Sequence, residues 1–280
     1  MLAAVYHGPH DLRVEEVPIP KIGPDELLIK VQAASICGTD LRIYHGNHRM
    51  YAPGTVRIPG HEVVGTIAEI GKDLTGFREG ERVFVAPNMG CGHCAQCVSG
   101  NNNLCASYDA VGVTIDGGFA EYMRVPANAV RQGNVIQVSE SVDPAVAALM
   151  EPFACVLRGQ NAVKVKTGDV VLVIGAGPIG IMHTKLAKAS GAGRVIVSEP
   201  VTDRAAQAGR MGADRVVNPT QEDLQAALDQ ESDGKGADVI IVAAPVHAAQ
   251  ESSLTLAAIG GRINFFGGLP KDRPTITFDS

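Results

Sequence analysis

Residues 170–180 read Val-Val-Leu-Val-Ile-Gly-Ala-Gly-Pro-Ile-Gly, five apolar residues running straight into a glycine turn. The apolar run predicts a buried strand, and IMHTKLAKAS after it predicts a helix. A G-x-G-x-x-G pattern is weak alone, but between strand and helix each glycine has a physical reason. Gly175 permits the tight turn, Gly177 lets a pyrophosphate approach the backbone, and Gly180 lets helix and strand pack closely, with the helix N-terminus facing the phosphate charge. Pro178 and Ile179 lie within the same cofactor-binding turn. Glu199 ends the next predicted strand, 19 residues after Gly180, where a carboxylate accepts hydrogen bonds from an adenosine ribose and repels a 2′-phosphate. NAD is therefore the expected cofactor. Arg204 is the nearby group that would suit a 2′-phosphate, but an arginine in a predicted helix is most often solvated.

Outward from this turn, VVLVIG, RVIVSE, DRVVN, ADVIIVAA and RINFFGG alternate with predicted helices. That spacing predicts right-handed crossovers and a Rossmann-type, doubly wound parallel sheet. Two complete mononucleotide-binding halves call for a sixth strand, so the sheet is expected to be truncated at its C-terminal end, where the chain continues from Gly268 into the polar LPKDRPTITFDS. Upstream, ELLIKVQAA, VVGTIAEI and ERVFVAP are separated by Gly, Pro and Asp, which predicts a β-rich, partly closed antiparallel fold. Near Asp143 the texture changes to the alanine-rich VDPAVAALMEPFACVLRGQNAV. The domain boundary is placed inside this predicted helix, giving domains 1–150 and 151–280.

A chain of 280 residues with 45% hydrophobic content has room for two such domains. Its net charge of −6 and scattered basic residues argue against a nucleic-acid partner. No run approaches the roughly 20 apolar residues of a membrane span, and the opening MLAAVYHGPHDLRVEE meets charge before a signal-peptide core could form. The expectation is a cytoplasmic protein whose count of six cysteines points towards metal or catalysis rather than disulfides.

Cys91, Cys94, Cys97 and Cys105 lie on one short segment. Four thiolates close a tetrahedral zinc shell with no open position, so this site is expected to staple its loop. Disulfides are disfavoured by the crowding of the first three, and an iron–sulfur cluster by the long last gap and the absence of a following proline. A second donor set mixes chemistries: Cys37 in Ile36-Cys37-Gly38-Thr39-Asp40, His61 and Glu62 in Pro59-Gly60-His61-Glu62, and Glu151 in Met150-Glu151-Pro152. Sulfur, imidazole and carboxylate together make a three-ligand zinc shell whose fourth position stays open, as catalytic zinc requires. Glu151, an acid in an apolar helix, would be costly to bury without a partner. Cys155, one helical turn beyond it, is read as packing.

In this order CGTD, GHE, the four-cysteine lobe, GGFAEY, MEP, GAGPIG and GADVI resemble the medium-chain dehydrogenases, nearest the sorbitol and threonine dehydrogenase branch. The resemblance implies a GroES-like catalytic domain carrying one catalytic and one structural zinc, a Rossmann domain, and an active site in the cleft between them. It implies Cys37, His61 and a carboxylate as ligands of the catalytic zinc, either Glu62 or Glu151, the latter holding a zinc-bound water or alternating with Glu62. Asp40 matches an acid that orients the ligand histidine, and Thr39 the hydroxyl that starts a proton relay. Many relatives finish that relay with a histidine where this sequence has Arg42, which cannot shuttle a proton at neutral pH; His45 is the candidate substitute.

The implied reaction is oxidation of a small-molecule secondary alcohol or polyol, with zinc as Lewis acid and hydride passing to the nicotinamide. A sorbitol-like polyol, a sugar acid, a sugar phosphate and an amino alcohol all fit. The rivals are a zinc-free quinone or enone reductase and a non-enzymatic zinc- and nucleotide-binding fragment. A homo-oligomer, dimer or tetramer, is expected when the family's C-terminal stretch completes the sheet and packs back on the catalytic domain.

Overall fold

The structure, a computed structural model, describes residues 1–269. The chain divides into two compact units, Met1–Glu151 and Pro152–Ser280.

The first unit opens with an antiparallel hairpin, β1 (Leu2–Gly8) and β2 (Asp11–Glu16). Next come β3 (Leu27–Ser35), the short helix α1 (Gly38–Tyr44), β4 (Glu62–Ile70) and β5 (Arg82–Val85). A small lobe follows, with β6 (Asn88–Met89) and β7 (Asp109–Ala110) paired at its base and one helical turn, α2 (Ala95–Val98), inside it. The unit is completed by β8 (Tyr122–Val125), α3 (Ala127–Arg131), β9 (Val135–Gln137) and α4 (Pro144–Ala148). The main sheet runs β8-β3-β4-β5-β9, and every pairing in it is antiparallel. Leu27, Ile29, Val63, Ile67, Val83 and Met123 form its core, inward-facing positions of four strands packed as one cluster.

The helix expected from Asp143 is two helices. Asp143 caps α4 by accepting from the Ala145 amide at 2.8 Å, and α5 (Met150–Val163) starts after Leu149. Pro152 has no amide hydrogen to give the carbonyl of Ala148, which is why the chain cannot pass as one regular helix.

In the second unit β10 (Val170–Ile174), β11 (Arg194–Ser198), β12 (Arg215–Val217), β13 (Ala237–Val242) and β14 (Ala257–Phe265) alternate with α6 (Pro178–Ala189), α7 (Thr202–Arg210), α8 (Leu224–Ser232) and α9 (His247–Leu256). Strand order is β12-β11-β10-β13-β14, all parallel, so the order reverses between β10 and β13. Alternate residues of the central strands go to opposite faces. Val171, Val173, Val195 and Val197 pack with Ala187 of α6 and Ala208 of α7, while Leu172, Ile174, Ile196 and Ile240 pack with Leu228 of α8 and Leu256 of α9. Burial on both faces is the physical reason for unbroken apolar strands.

β14 starts five residues earlier than RINFFGG suggested, because Gly260 at φ +76° and Gly261 are carried within the strand, where the pairing with β13 shifts register. Among the described residues this sheet has five strands, and Ile259 on its outer strand is fully exposed. Apart from Leu269, the segment LPKDRPTITFDS lies outside the described residues.

Candidate active site and nucleotide turn

The register of one strand pair assembles the mixed donor set. In the antiparallel β3–β4 ladder Ser35 lies opposite Glu62, so the chain leaving β3 delivers Cys37 beside the residues that enter β4. His61 and Glu62 are buried there, and the sulfur of Cys37, a ring nitrogen of His61 and a carboxylate oxygen of Glu62 all lie within 4.8 Å of one another. Gly60 makes the approach possible: it sits at φ +94°, and a Cβ on it would meet the Phe119 ring at 2.6 Å. Cys37 is fixed as the N-cap of α1, its amide donating to Asp40 Oδ2 at 2.8 Å.

Asp40 is itself buried, and its Oδ1 faces His61 Nδ1 at 3.6 Å, slightly beyond hydrogen-bond length, with neither atom otherwise partnered among the described residues. A carboxylate in that position fixes the imidazole tautomer and leaves Nε2 for a ligand. Burial pushes the Asp40 carboxyl up, an effect that the His61 charge and the Cys37 amide only partly offset. Burial by itself would lower His61. The hydrogen bond to Cys37 and the charges of Asp40, Cys37 and Glu151 outweigh burial and lift it to about 9. The pocket therefore concentrates negative charge around one imidazole, the electrostatic setting that a divalent cation relieves.

Glu151 is not in the compact donor set, but it lines the same cavity of about 740 Å³ as Thr39 and His61, and its charge reaches His61. Three features of this site were not legible in the sequence. The Ser35 hydroxyl donates a short hydrogen bond to Glu62 Oε2, a contact set by register. Asn88 and Tyr108 line the cavity, the Tyr108 hydroxyl donating to Asn88 Oδ1 at 2.6 Å. Arg49, from the loop between α1 and β4, lines it too. His45, by contrast, stacks edge-on against His10 and Tyr44 at 5.0 and 5.4 Å, and neither it nor Arg42 lines this cavity. Cys155 is exposed on α5.

In the lobe, the four cysteines converge without any disulfide. The sulfurs of Cys91 and Cys97 are 4.0 Å apart, those of Cys94 and Cys97 3.5 Å, and those of Cys94 and Cys105 3.8 Å. A tetrahedron with metal–sulfur bonds of about 2.3 Å has edges of about 3.8 Å, whereas a disulfide brings sulfurs to about 2.05 Å. The amides of His93 and Cys94 lower the Cys91 thiol to about 6. Cys97 moves the other way, to about 11: the Gly92 amide lowers it, but burial and its three sulfur neighbours outweigh that amide. Four thiols this close cannot all ionise without a cation among them, and the downward direction at Cys91 is the one that ligation follows. Gln132 ties the lobe to the main body, accepting from the Gly90 amide at 3.2 Å and donating to the Gly90 carbonyl at 2.6 Å.

In the second unit the turn after β10 lies at the strand-order reversal, where open parallel sheets bind their ligands. Gly175, Gly177, Glu199 and Arg204 line a cavity of about 790 Å³ with Ala243 and Ala244. Pro178 and Ile179 form the first turn of α6. A Cβ on Gly180 would fall 1.8 Å from the Gly175 carbonyl oxygen, which fixes glycine there by contact. Glu199 is buried just past β11, Oε2 accepting from the Ala176 amide at 2.7 Å and Oε1 from the Val201 amide at 2.9 Å. The acid expected at the ribose thus also braces the glycine turn.

Residues 23–134 match the family described as alcohol dehydrogenase GroES-like domain, and residues 178–280 the family described as zinc-binding dehydrogenase. The chain is 40% identical to an L-threonine 3-dehydrogenase of Pyrococcus horikoshii over 268 residues, 95% of this chain and 74% of that protein. It is 35% identical to a sorbitol dehydrogenase of Bacillus subtilis over 269 residues, 95% of this chain and 75% of that one. A structure from Sinorhizobium meliloti 1021, described as a zinc-binding dehydrogenase bound to NADP, superposes with a TM-score of 0.91 at 34% identity, covering 99% of this chain and 79% of that chain. A GroES-like unit with two clusters of side chains that could hold a metal, a Rossmann-like parallel sheet and these relatives together make the chain a member of the zinc-binding alcohol dehydrogenase family, an oxidoreductase.

Proposed function

We propose that this chain oxidises a secondary alcohol or polyol with NAD, using one reactive zinc held by Cys37, His61 and Glu62 and one structural zinc held by Cys91, Cys94, Cys97 and Cys105. The observation that carries the reading is the convergence of sulfur, imidazole and carboxylate within 4.8 Å, with His61 of that set on the wall of a cavity large enough for a small polyol. When bound, zinc supplies a Lewis acid for the substrate hydroxyl, and the dinucleotide accepts two electrons and a proton. The chain's own residues do the rest. Asp40 holds the His61 ring in one tautomer, and Ser35 holds the carboxylate of Glu62. The Thr39 hydroxyl, in the first turn of α1 and on the cavity wall, takes the substrate's proton only by passing its own on to solvent, so it relays the proton without keeping it. Glu151 presents a second acid in the cavity wall, and its place outside the compact donor set favours Glu62 as the third ligand.

Glu199 at the nucleotide cavity favours NAD, because an anion beside Gly175 and Gly177 disfavours a further phosphate. The Sinorhizobium relative is described with NADP bound, so the preference is a property proposed for this chain and not borrowed from it. Self-association into a dimer or tetramer, supported by the exposed outer strand β14, and residence in the reducing cytoplasm, where thiols stay free for metal, belong to the same reading. No helix of the described residues is long and apolar enough to cross a membrane.

Metal analysis together with NAD and NADP reduction over a panel of sorbitol, threonine and simple secondary alcohols tests the proposal. Two zinc per chain and NAD-linked oxidation of at least one alcohol are expected. Activity that survives full zinc removal points to the zinc-free reductase reading and overturns this one. Light scattering reads the oligomeric state.

A further inference from the structure

Most arginines of this chain are engaged. Arg13 pairs with Asp11, Arg124 with Glu26, Arg131 with Asp25, Arg215 with Glu222 and Arg262 with Asp169. Arg49 has no hydrogen bond or ion pair among the described residues, and it lines the cavity that contains His61 and Thr39. Its neighbour Arg57 does not share that freedom: it donates to the Val113 carbonyl at 2.6 Å and lies over the Tyr51 ring, a pair that clamps the loop from which Arg49 projects. The rest of the lining mixes hydrogen-bonding side chains, Asn88, Asn103, Tyr108 and His48, with apolar ones such as Met50 and Leu104. Its one carboxylate outside the compact donor set is Glu151.

A guanidinium stays charged at every accessible pH, and its planar fork matches a carboxylate or phosphate with two parallel hydrogen bonds. Neutral hydroxyls do not call for such a group, and the asparagines and tyrosine of the same cavity suit them already. Resting on the dehydrogenase reading above, we propose that Arg49 determines substrate class: the alcohol oxidised at the Cys37–His61–Glu62 site carries a carboxylate or phosphate at some distance from the reacting hydroxyl, and Arg49 binds that anion.

Sorbitol, gluconate and glucitol 6-phosphate share one carbon skeleton and differ in the end group, so together they separate a neutral polyol, a carboxylate and a phosphate. In the zinc-loaded 280-residue chain with NAD, at least one of the two anions is expected to exceed sorbitol in kcat/KM by tenfold or more, and the phosphate and carboxylate arms show which anion is preferred. Arg49→Ala is expected to lower that anion-to-sorbitol ratio at least tenfold through KM, and Arg49→Lys to restore part of it. A lesion that only disturbs folding lowers both substrates together and leaves the ratio where it was. Calorimetric binding of gluconate and glucitol 6-phosphate to the zinc-loaded chain with NADH gives a readout independent of turnover, with the same loss expected in Arg49→Ala. Sorbitol equal to or better than both anions, an unmoved ratio in Arg49→Ala, or no calorimetric binding of either anion overturns the inference. Sorbitol oxidation in those cases leaves the dehydrogenase reading standing, whereas anion binding lost in Arg49→Ala with no alcohol oxidised at all sinks that reading and keeps the anion site.

Discussion

The two units build their sites in opposite ways. In Met1–Glu151 the proposed metal-binding atoms belong to side chains, seven of them in two clusters, and each cluster is defined by what those side chains add. In the nucleotide turn the important feature is what is missing, since the Gly175 carbonyl occupies the space a side chain on Gly180 would need. A site made of side chains is broken by subtraction and can lose one function at a time. A site made of backbone is broken by addition, and fold and function fail together.

Subtraction should produce the largest effect. Cys37→Ser removes a ligand from the reactive set while leaving the β3–β4 ladder intact, so we expect a loss of about 10³-fold in kcat/KM with little change in melting temperature. Cys94→Ser should do the reverse, costing one zinc equivalent and lowering Tm by roughly 10 °C. Metal content, melting curves and kinetics on both variants check the division, and equal loss of folding from both refutes it.

Addition comes next. Gly180→Ala forces a methyl against the Gly175 carbonyl in the tightly packed start of α6 and should destabilise the chain by about 3 kcal/mol, with dinucleotide affinity falling in the same variant. Urea unfolding and dinucleotide titration measure the two losses. A variant that folds at wild-type stability but no longer binds dinucleotide would show that the backbone site can, after all, lose function separately.

The second unit also holds a buried titratable group unconnected to either metal cluster. His183 of α6 is fully buried, packs edge-on to Phe266 at 4.8 Å and is close to Gln160, whose amide donates to the His183 carbonyl at 2.7 Å. Burial lowers its pKa from 6.5 to about 4. Between those values the unfolded chain binds the proton and the folded chain does not, so stability is full above pH 6.5 and drains away as pH falls to 4, by about 3 kcal/mol in all. The difference in urea midpoint between wild type and His183→Leu, followed from pH 7 to pH 4.5, isolates this term from acid loss of metal ligands. A pH-independent difference would refute it.

The smallest effect is expected where side chain and backbone sites meet. Glu199→Ser removes the charge beside the nucleotide cavity and the acceptor for the Ala176 amide, so NAD binding should weaken while the NAD-to-NADP preference falls by roughly tenfold. Equal affinity of the wild type for both dinucleotides would break the assignment.

How much of this could be read from sequence follows the same division. The nucleotide turn and the four-cysteine lobe are local: Val170–Gly180 and Cys91–Cys105 each carry their ligand chemistry within a dozen or so residues, and short-range spacing fixes it. The strand–helix alternation around the turn is similarly legible, because a strand buried on both faces has to be apolar throughout. The sequence could nominate Cys37, His61, Glu62 and Glu151 for the reactive set but could not rank them. That ranking depends on Ser35 facing Glu62 across β3 and β4, and a register is settled by the packing of whole strands, not by any motif. The same holds for Arg49 on the cavity wall and for His45 stacked on His10. By itself the sequence determined which donors exist and the two kinds of unit that carry them. Only the tertiary structure decided which donors meet, because residues 24 positions apart, such as Cys37 and His61, are brought within bonding range by the pairing of strands that neither residue specifies.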